Sequence, residues 1–271
     1  MSDNASTQPK SPQPLLNEPF WVDLVTPDVS AARSFYTALF QWEYVDNGRQ
    51  TIALLDDQPV CGIWPGSAEL ANGASYWHPY FRVGDLNLAA SEARRAGGEL
   101  LWGPSDYLGA AQVSTIQDPA GASMSLWEPT ISGRAVMNAL GASSWFELVT
   151  PDPMLVADFY QSTLRLTPDI SQSNQHSYRV LTHSGIPVAG VVRSNGPSHW
   201  RTYFLVDDLD RALRDTTKER GSIASPPQHT LIGDTALIRD PAGALLGLVA
   251  KLGAPQSPVN DNAGFPNSLN L

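Results

Sequence analysis

A chain of 271 residues is long enough for two domains of about 100–125 residues, each able to bury its own core. A hydrophobic share of 42% with eight Trp marks it as globular. A formal charge of −10 argues against nucleic acid, which needs clustered Lys and Arg. No apolar run approaches the roughly 18–20 residues that span a bilayer.

Residues 1–13 are polar and lack the apolar centre of a signal peptide. The single cysteine, Cys61, has no intramolecular disulfide partner, so a reducing cytoplasm is the expected compartment. Its neighbours Pro59, Val60, Gly62 and Ile63 make it a packing residue of a buried strand, because nothing nearby would lower its pKa. Residues 1–17 and 253–271 have little to bury and are expected to be tails.

The first ordered element is expected at Trp21–Thr26. Val22, Leu24 and Thr26 alternate with Trp21, Asp23 and Val25, the pattern of a strand with two differently used faces. Asp28 is a helix N-cap candidate. Val29, Ala32, Phe35, Tyr36, Leu39 and Phe40 then recur at helical spacing over about three turns. Short strands are expected near Tyr44–Val45, Thr51–Leu55 and Val60–Trp64, so the unit is βαβββ. A second unit begins at Tyr76–Val83, with Asp85 capping a helix through Ala89, Ala90 and Ala93. Gly97-Gly98 would stop that helix. A Pro/Gly loop follows at 103–109, then strands that bracket Asp118-Pro119-Ala120-Gly121-Ala122 and end in Met124–Trp127.

The whole arrangement is then written again. Trp145-Phe146-Glu147-Leu148-Val149-Thr150-Pro151-Asp152 repeats Trp21–Asp28 at an offset of 124, and Phe159-Tyr160 repeats Phe35-Tyr36. Between 21–36 and 145–160, eight of sixteen positions are identical without a gap. Trp200–Val206, the Asp208 cap, the Gly221 stop and Asp240-Pro241-Ala242-Gly243-Ala244 repeat the second unit. Such a repeat means duplicated modules in the order A-B-A′-B′. The expected boundaries are 18–129 and 143–252, joined by a linker at 130–142. Proline and glycine make the two Asp-Pro-Ala-Gly-Ala segments turns.

Trp-x-(Asp/Glu)-Leu-x-Thr-x-Asp with Phe-Tyr, then Trp-x-x-Tyr-Phe-x-Val-x-Asp, then Asp-Pro-x-Gly-Ala resembles the glyoxalase/bleomycin-resistance/dioxygenase superfamily, or vicinal oxygen chelate proteins. The likeness covers roughly residues 19–250 and is greatest to two-domain, glyoxalase-like members often labelled hydroxylases. It implies an α+β fold in which four βαβββ modules form two half-open barrels, each with a concave side for a small ligand. Active members commonly hold a divalent metal with His, Gln or Glu on the first strand of each module and Glu on the last. Here the matching positions are Trp21, His78, Trp145 and Arg201, with Ser125 and Gly247 on the last strands. Only His78 is a competent ligand, and a site needs three or four. No cofactor is expected, although Asp23, His78 and Glu147 leave an atypical divalent metal open.

On the faces expected to line the barrels stand Trp21, Asp23, His78, Tyr80 and Arg82, and their counterparts Trp145, Glu147, Arg201, Tyr203 and Leu205. Ser125 and Trp127 face Gly247 and Val249, and Gly247 is expected to leave room in the second half. Aromatic walls with a few polar groups suit a small molecule. Asp23 or Glu147 would take a proton and His78 or Tyr80 would donate one. Alternatively, Asp23 with His78 and Glu147 with Arg201 are buried pairs that hold the fold. Trp21, Tyr80, Arg82, Ser125, Trp127, Trp145, Arg201 and Tyr203 are the candidate ligand contacts. His176, His183, His199 and His229 are expected at the surface.

Three functions fit. One is an enzyme acting on a carbonyl or hydroxylated small metabolite, without the usual metal. A second is a ligand-sequestering protein of the bleomycin-resistance kind, and a third is a duplicated dimerisation scaffold. The expected partner is a small molecule, on a monomer or a homodimer.

Overall fold

The computed structural model describes residues 16–66, 75–131, 135–168 and 178–250. The expected tails lie almost wholly outside these residues, as does His176.

Each half is one eight-stranded sheet. The first half contains β1 (Pro19–Thr26), α1 (Val29–Phe40), β2 (Glu43–Asp46), β3 (Thr51–Leu55), β4 (Gln58–Pro65), β5 (Tyr76–Arg82), α2 (Leu86–Arg95), β6 (Glu99–Tyr107), β7 (Ala111–Gln117) and β8 (Ser123–Pro129). The second repeats them as β9 (Ser143–Thr150), α3 (Pro153–Leu164), β10 (Thr167–Pro168), β11 (Tyr178–His183), β12 (Ile186–Arg193), β13 (His199–Val206), α4 (Leu209–Lys218), β14 (Ser222–Thr230), β15 (Gly233–Arg239) and β16 (Leu245–Ala250). Strand orders are β2-β3-β4-β1-β5-β8-β7-β6 and β10-β11-β12-β9-β13-β16-β15-β14. The first strands of paired modules, β1 with β5 and β9 with β13, meet antiparallel at the centre. This is the expected α+β tandem of four βαβββ modules, curled into open half-barrels.

The four helices among the described residues start as the sequence implies. Asp28, Asp85, Asp152 and Asp208 each accept a backbone N–H of the first turn, satisfying donors that a helix start leaves free. One expected stretch differs. Residues 103–107 are not a loop but the continuation of β6, whose register against β7 shifts at Leu100/Trp102 and at Trp102/Ser105. Bulges absorb the Gly103-Pro104 step, and the chain stays extended to Tyr107.

Packing explains why Phe-Tyr recurs. The helices face each other across the halves, α2 on α3 and α1 on α4. Tyr36 of α1 donates to Asp240 Oδ2 at 3.0 Å, and Tyr160 of α3 donates to Asp118 Oδ2 at 2.8 Å. The Asp-Pro-Ala-Gly-Ala segments are indeed turns: Asp118 Oδ1 accepts from the N–H groups of Ala120 and Ala122, and Asp240 Oδ1 from those of Ala242 and Ala244. Each turn aspartate therefore spends one oxygen on its own turn and the other on the opposite half.

Phe159 and Phe35 press on Gly98 and Gly221, where an added Cβ would lie 2.3 Å and 2.7 Å from the rings. In the second half the left-handed residue that ends α4 is Arg220, at φ 67°, so Gly221 supplies room rather than the stop. One core of buried apolar residues, including Cys61, runs through both halves. The chain just before β9 is docked on it: Trp42 donates to the Gly141 carbonyl at 2.8 Å.

Candidate functional site

Alternation along β1 and β5 sends Trp21, Asp23, His78 and Tyr80 to the concave face of the first sheet, with Trp21 opposite Tyr80 and Asp23 opposite His78. Asp23 is buried to 1% exposure and is ringed by aromatic donors. Trp21 Nε1 donates to Oδ1 at 2.7 Å. Oδ2 accepts from Trp64 Nε1 at 2.9 Å, Tyr80 Oη at 2.6 Å and Tyr107 Oη at 3.2 Å. Burial pushes the Asp23 carboxyl up, and the four donors oppose that rise. No cation touches it among the described residues.

Gly62 faces Asp23 from β4 because nothing larger fits: a Cβ there would lie 2.2 Å from Oδ1. Tyr107 Oη also sits 3.0 Å from Gln50 Oε1. One hydroxyl proton cannot serve two acceptors, so the Gln50 amide is better placed with its NH2 toward Tyr107. Trp64, Tyr107 and Gln50 belong to this cluster and were not singled out from sequence.

His78 does not pair with Asp23. Its Nε2 lies 2.8 Å from Ser125 Oγ, which lies 2.9 Å from Thr115 Oγ1. Its Nδ1 has no hydrogen-bond partner among the described residues. Burial alone pushes the imidazole down to about 4, so it is neutral at pH 7. Its ring meets Tyr80 edge-on at 5.3 Å. Trp127 stands against Tyr80 and Tyr107. Arg82, at the end of β5, keeps its Nε buried and without a partner among the described residues.

The matching face of the second half pairs its carboxylate with a cation. Glu147 Oε2 accepts from Tyr203 Oη at 2.7 Å and stands 3.5 Å from Arg201 Nη1. Burial raises the Glu147 carboxyl, against the pull of Arg201 and Tyr203. Trp145 Nε1 donates to Tyr178 Oη at 3.0 Å. The room expected at Gly247 is taken: a Cβ there would lie 2.1 Å from the Tyr203 ring. Asp23 and Glu147 thus serve separate networks. The expected surface position of His199 is also corrected, since its Nε2 is buried without a partner among the described residues. His229 is exposed beside Asp234, and His183 is half-buried against the Arg165 carbonyl.

Tandem βαβββ sheets with such a concave face define the class, and the chain belongs to the glyoxalase/bleomycin resistance protein/dioxygenase superfamily, whose family model matches residues 19–126. CFP32 of Mycobacterium tuberculosis, provisionally named a glyoxylase, is 33% identical over 261 residues, covering 92% of this chain and 99% of the relative. The anthracycline biosynthesis protein DnrV of Streptomyces peucetius is 30% identical over 253 residues, covering 85% and 92%. Among solved structures, the Mn(II)-bound glyoxalase from Novosphingobium aromaticivorans shares the fold with a TM-score of 0.65 at 12% identity, covering 88% of this chain and 83% of that one. A catechol 2,3-dioxygenase gives 0.64 at 13%, covering 94% and 96%.

A metal such as the manganese of that glyoxalase does not fit the residues present. Trp21, Trp145, Arg201 and Gly247 offer no oxygen or imidazole ligand. Among the described residues no three His, Cys, Asp or Glu side chains converge.

Proposed function

We propose that this protein is a small-molecule enzyme acting on a carbonyl or hydroxylated metabolite, without a resident metal, at the concave face of its first half. The carrying observation is the unlike fate of the two faces. Both carboxylates are engaged, but where the second half has Arg201 against Glu147, the first has a neutral His78 with one ring nitrogen unpaired among the described residues.

A neutral imidazole with so low a pKa is a weak base but a good hydrogen-bond donor. If Thr115 donates to Ser125 and Ser125 to His78 Nε2, the proton sits on Nδ1, able to polarise a substrate oxygen. Asp23, its oxygens already engaged by four donors, holds Trp21, Trp64, Tyr80 and Tyr107 as a wall for the substrate body. It is a positioning residue in this reading.

The second reading is sequestration without chemistry. It draws support from the same saturation of Asp23, which leaves the first face without an unengaged carboxylate base. Screening 2-oxoaldehydes and hydroxylated aromatics by thermal shift, then by product NMR, separates the two. Turnover that falls at least tenfold in His78→Gln with binding retained supports the enzyme; binding without turnover supports sequestration.

A further inference from the structure

Outside the concave faces, the halves differ beside the first helix of each. In the first half, Arg33 and Tyr44 fill the groove between α1 and the sheet edge. The Arg33 guanidinium carbon lies 4.9 Å from the Tyr44 ring centroid, and Tyr44 Oη donates to the Arg33 carbonyl at 3.0 Å. Asp46 neutralises the guanidinium at 3.2 Å. At the repeat offset of 124, Arg33 becomes Ala157 and Tyr44 becomes Pro168. Two large side chains are removed together, and the groove opens into a cavity of about 210 Å³.

Its walls are almost entirely carbon, from Met154 and Ala157 of α3, Pro168, Leu181 and Val191. The cation has moved instead of vanishing. Arg179 lines the cavity from β11, paired with Val191 as Thr51 is paired with Ile63 in the first half. It is half-buried and makes no ion pair among the described residues.

We propose that this cavity binds a small amphipathic monoanion, a medium-chain carboxylate or a compound of that shape, with its hydrocarbon part against Leu181 and Val191 and its carboxylate on Arg179. Apolar cavities of roughly 150 Å³ take up a benzene-sized hydrocarbon, and a guanidinium favours a carboxylate through paired N–H donors. The site lies on the helix side of the second sheet, so it stands or falls independently of the concave face.

The test is a calorimetric titration of the full-length protein with sodium octanoate and with 1-octanol. Wild type is expected to bind octanoate more tightly than octanol. Ala157→Arg with Pro168→Tyr, which rebuilds the plug of the first half, is expected to weaken octanoate binding at least tenfold. That variant fills a void, so its thermal midpoint should hold or rise, separating lost binding from lost fold. Arg179→Gln is expected to weaken octanoate about tenfold and leave octanol unchanged. No octanoate binding at millimolar concentration, equal binding of the two probes by wild type, or unchanged octanoate binding in the plugged variant would each overturn the proposal.

Discussion

Asp23 shows how a buried carboxylate is tolerated without a cation: four neutral donors replace the water it loses. Asp23→Asn keeps the shape but turns an NH2 toward N–H and O–H groups. It is expected to cost about 1–3 kcal/mol, read as a lower urea midpoint. Gly62→Ala forces a methyl into the Asp23 carboxylate and should cost about 1–3 kcal/mol as overpacking, with altered Trp21 and Trp64 fluorescence. An unchanged midpoint in both variants would mean that the cluster is not held as described. Asp23 was legible because it lies in the repeated stretch. Trp64 and Gln50 lie outside the identical motifs that mark the repeat, and Tyr107 follows a Gly-Pro step that mimics a loop. Neither propensity nor period could bring these three distant side chains into one cluster around a carboxylate.

At the scale of elements, the repeat encodes the contact between halves as much as the halves themselves. Phe-Tyr on each first helix meets the glycine and turn aspartate of the opposite half. The sequence made the motifs visible but not their pairing, because both partners look locally sufficient: a helix face and a turn. Tyr36→Phe and Tyr160→Phe each leave a buried carboxylate one donor short, an expected loss of about 1–3 kcal/mol apiece. The two contacts use separate partners, so the losses should add in the double variant. Chemical denaturation measures this. Losses near zero would make the tyrosine–aspartate bonds incidental to the packing of the helices.

Taken whole, the molecule carries two near-identical frameworks with unlike interiors. Module order was legible from the repeat, periodicity and capping, and the half-barrel fold from the family resemblance of the motifs. How each face engages its carboxylate was not, since in the second half it turns on Tyr203 lying over Gly247 and on Arg201 reaching Glu147. The buried carboxyls and the imidazole respond oppositely to acid. Burial raises the carboxyls of Asp23, Asp118, Glu147 and Asp240. The folded state therefore holds their protons more readily than the unfolded chain, and their contribution to stability grows as pH falls from their raised values toward the ordinary carboxylate range.

His78 works the other way. Its folded value of about 4 lies below the usual 6.5, so the unfolded chain takes up a proton first and stability is lost as pH falls from 6.5 toward 4. His78→Gln should remove that loss, gaining on wild type by up to about 1.4 kcal/mol per pH unit across this window. Parallel pH profiles for the two proteins would contradict a half-buried, neutral imidazole.

The central claim is that chemistry belongs to the first half and needs no metal. The most direct measurement is turnover of 2-oxoaldehydes and hydroxylated aromatics by chelator-treated protein, compared among wild type, His78→Gln and the double variant Glu147→Gln/Arg201→Met. Replacing both members of the buried pair together leaves no unpaired charge. The account predicts that turnover survives chelation, falls at least tenfold in His78→Gln and persists in the double variant. Turnover that depends on added metal, or that is lost in the double variant and kept in His78→Gln, would contradict it.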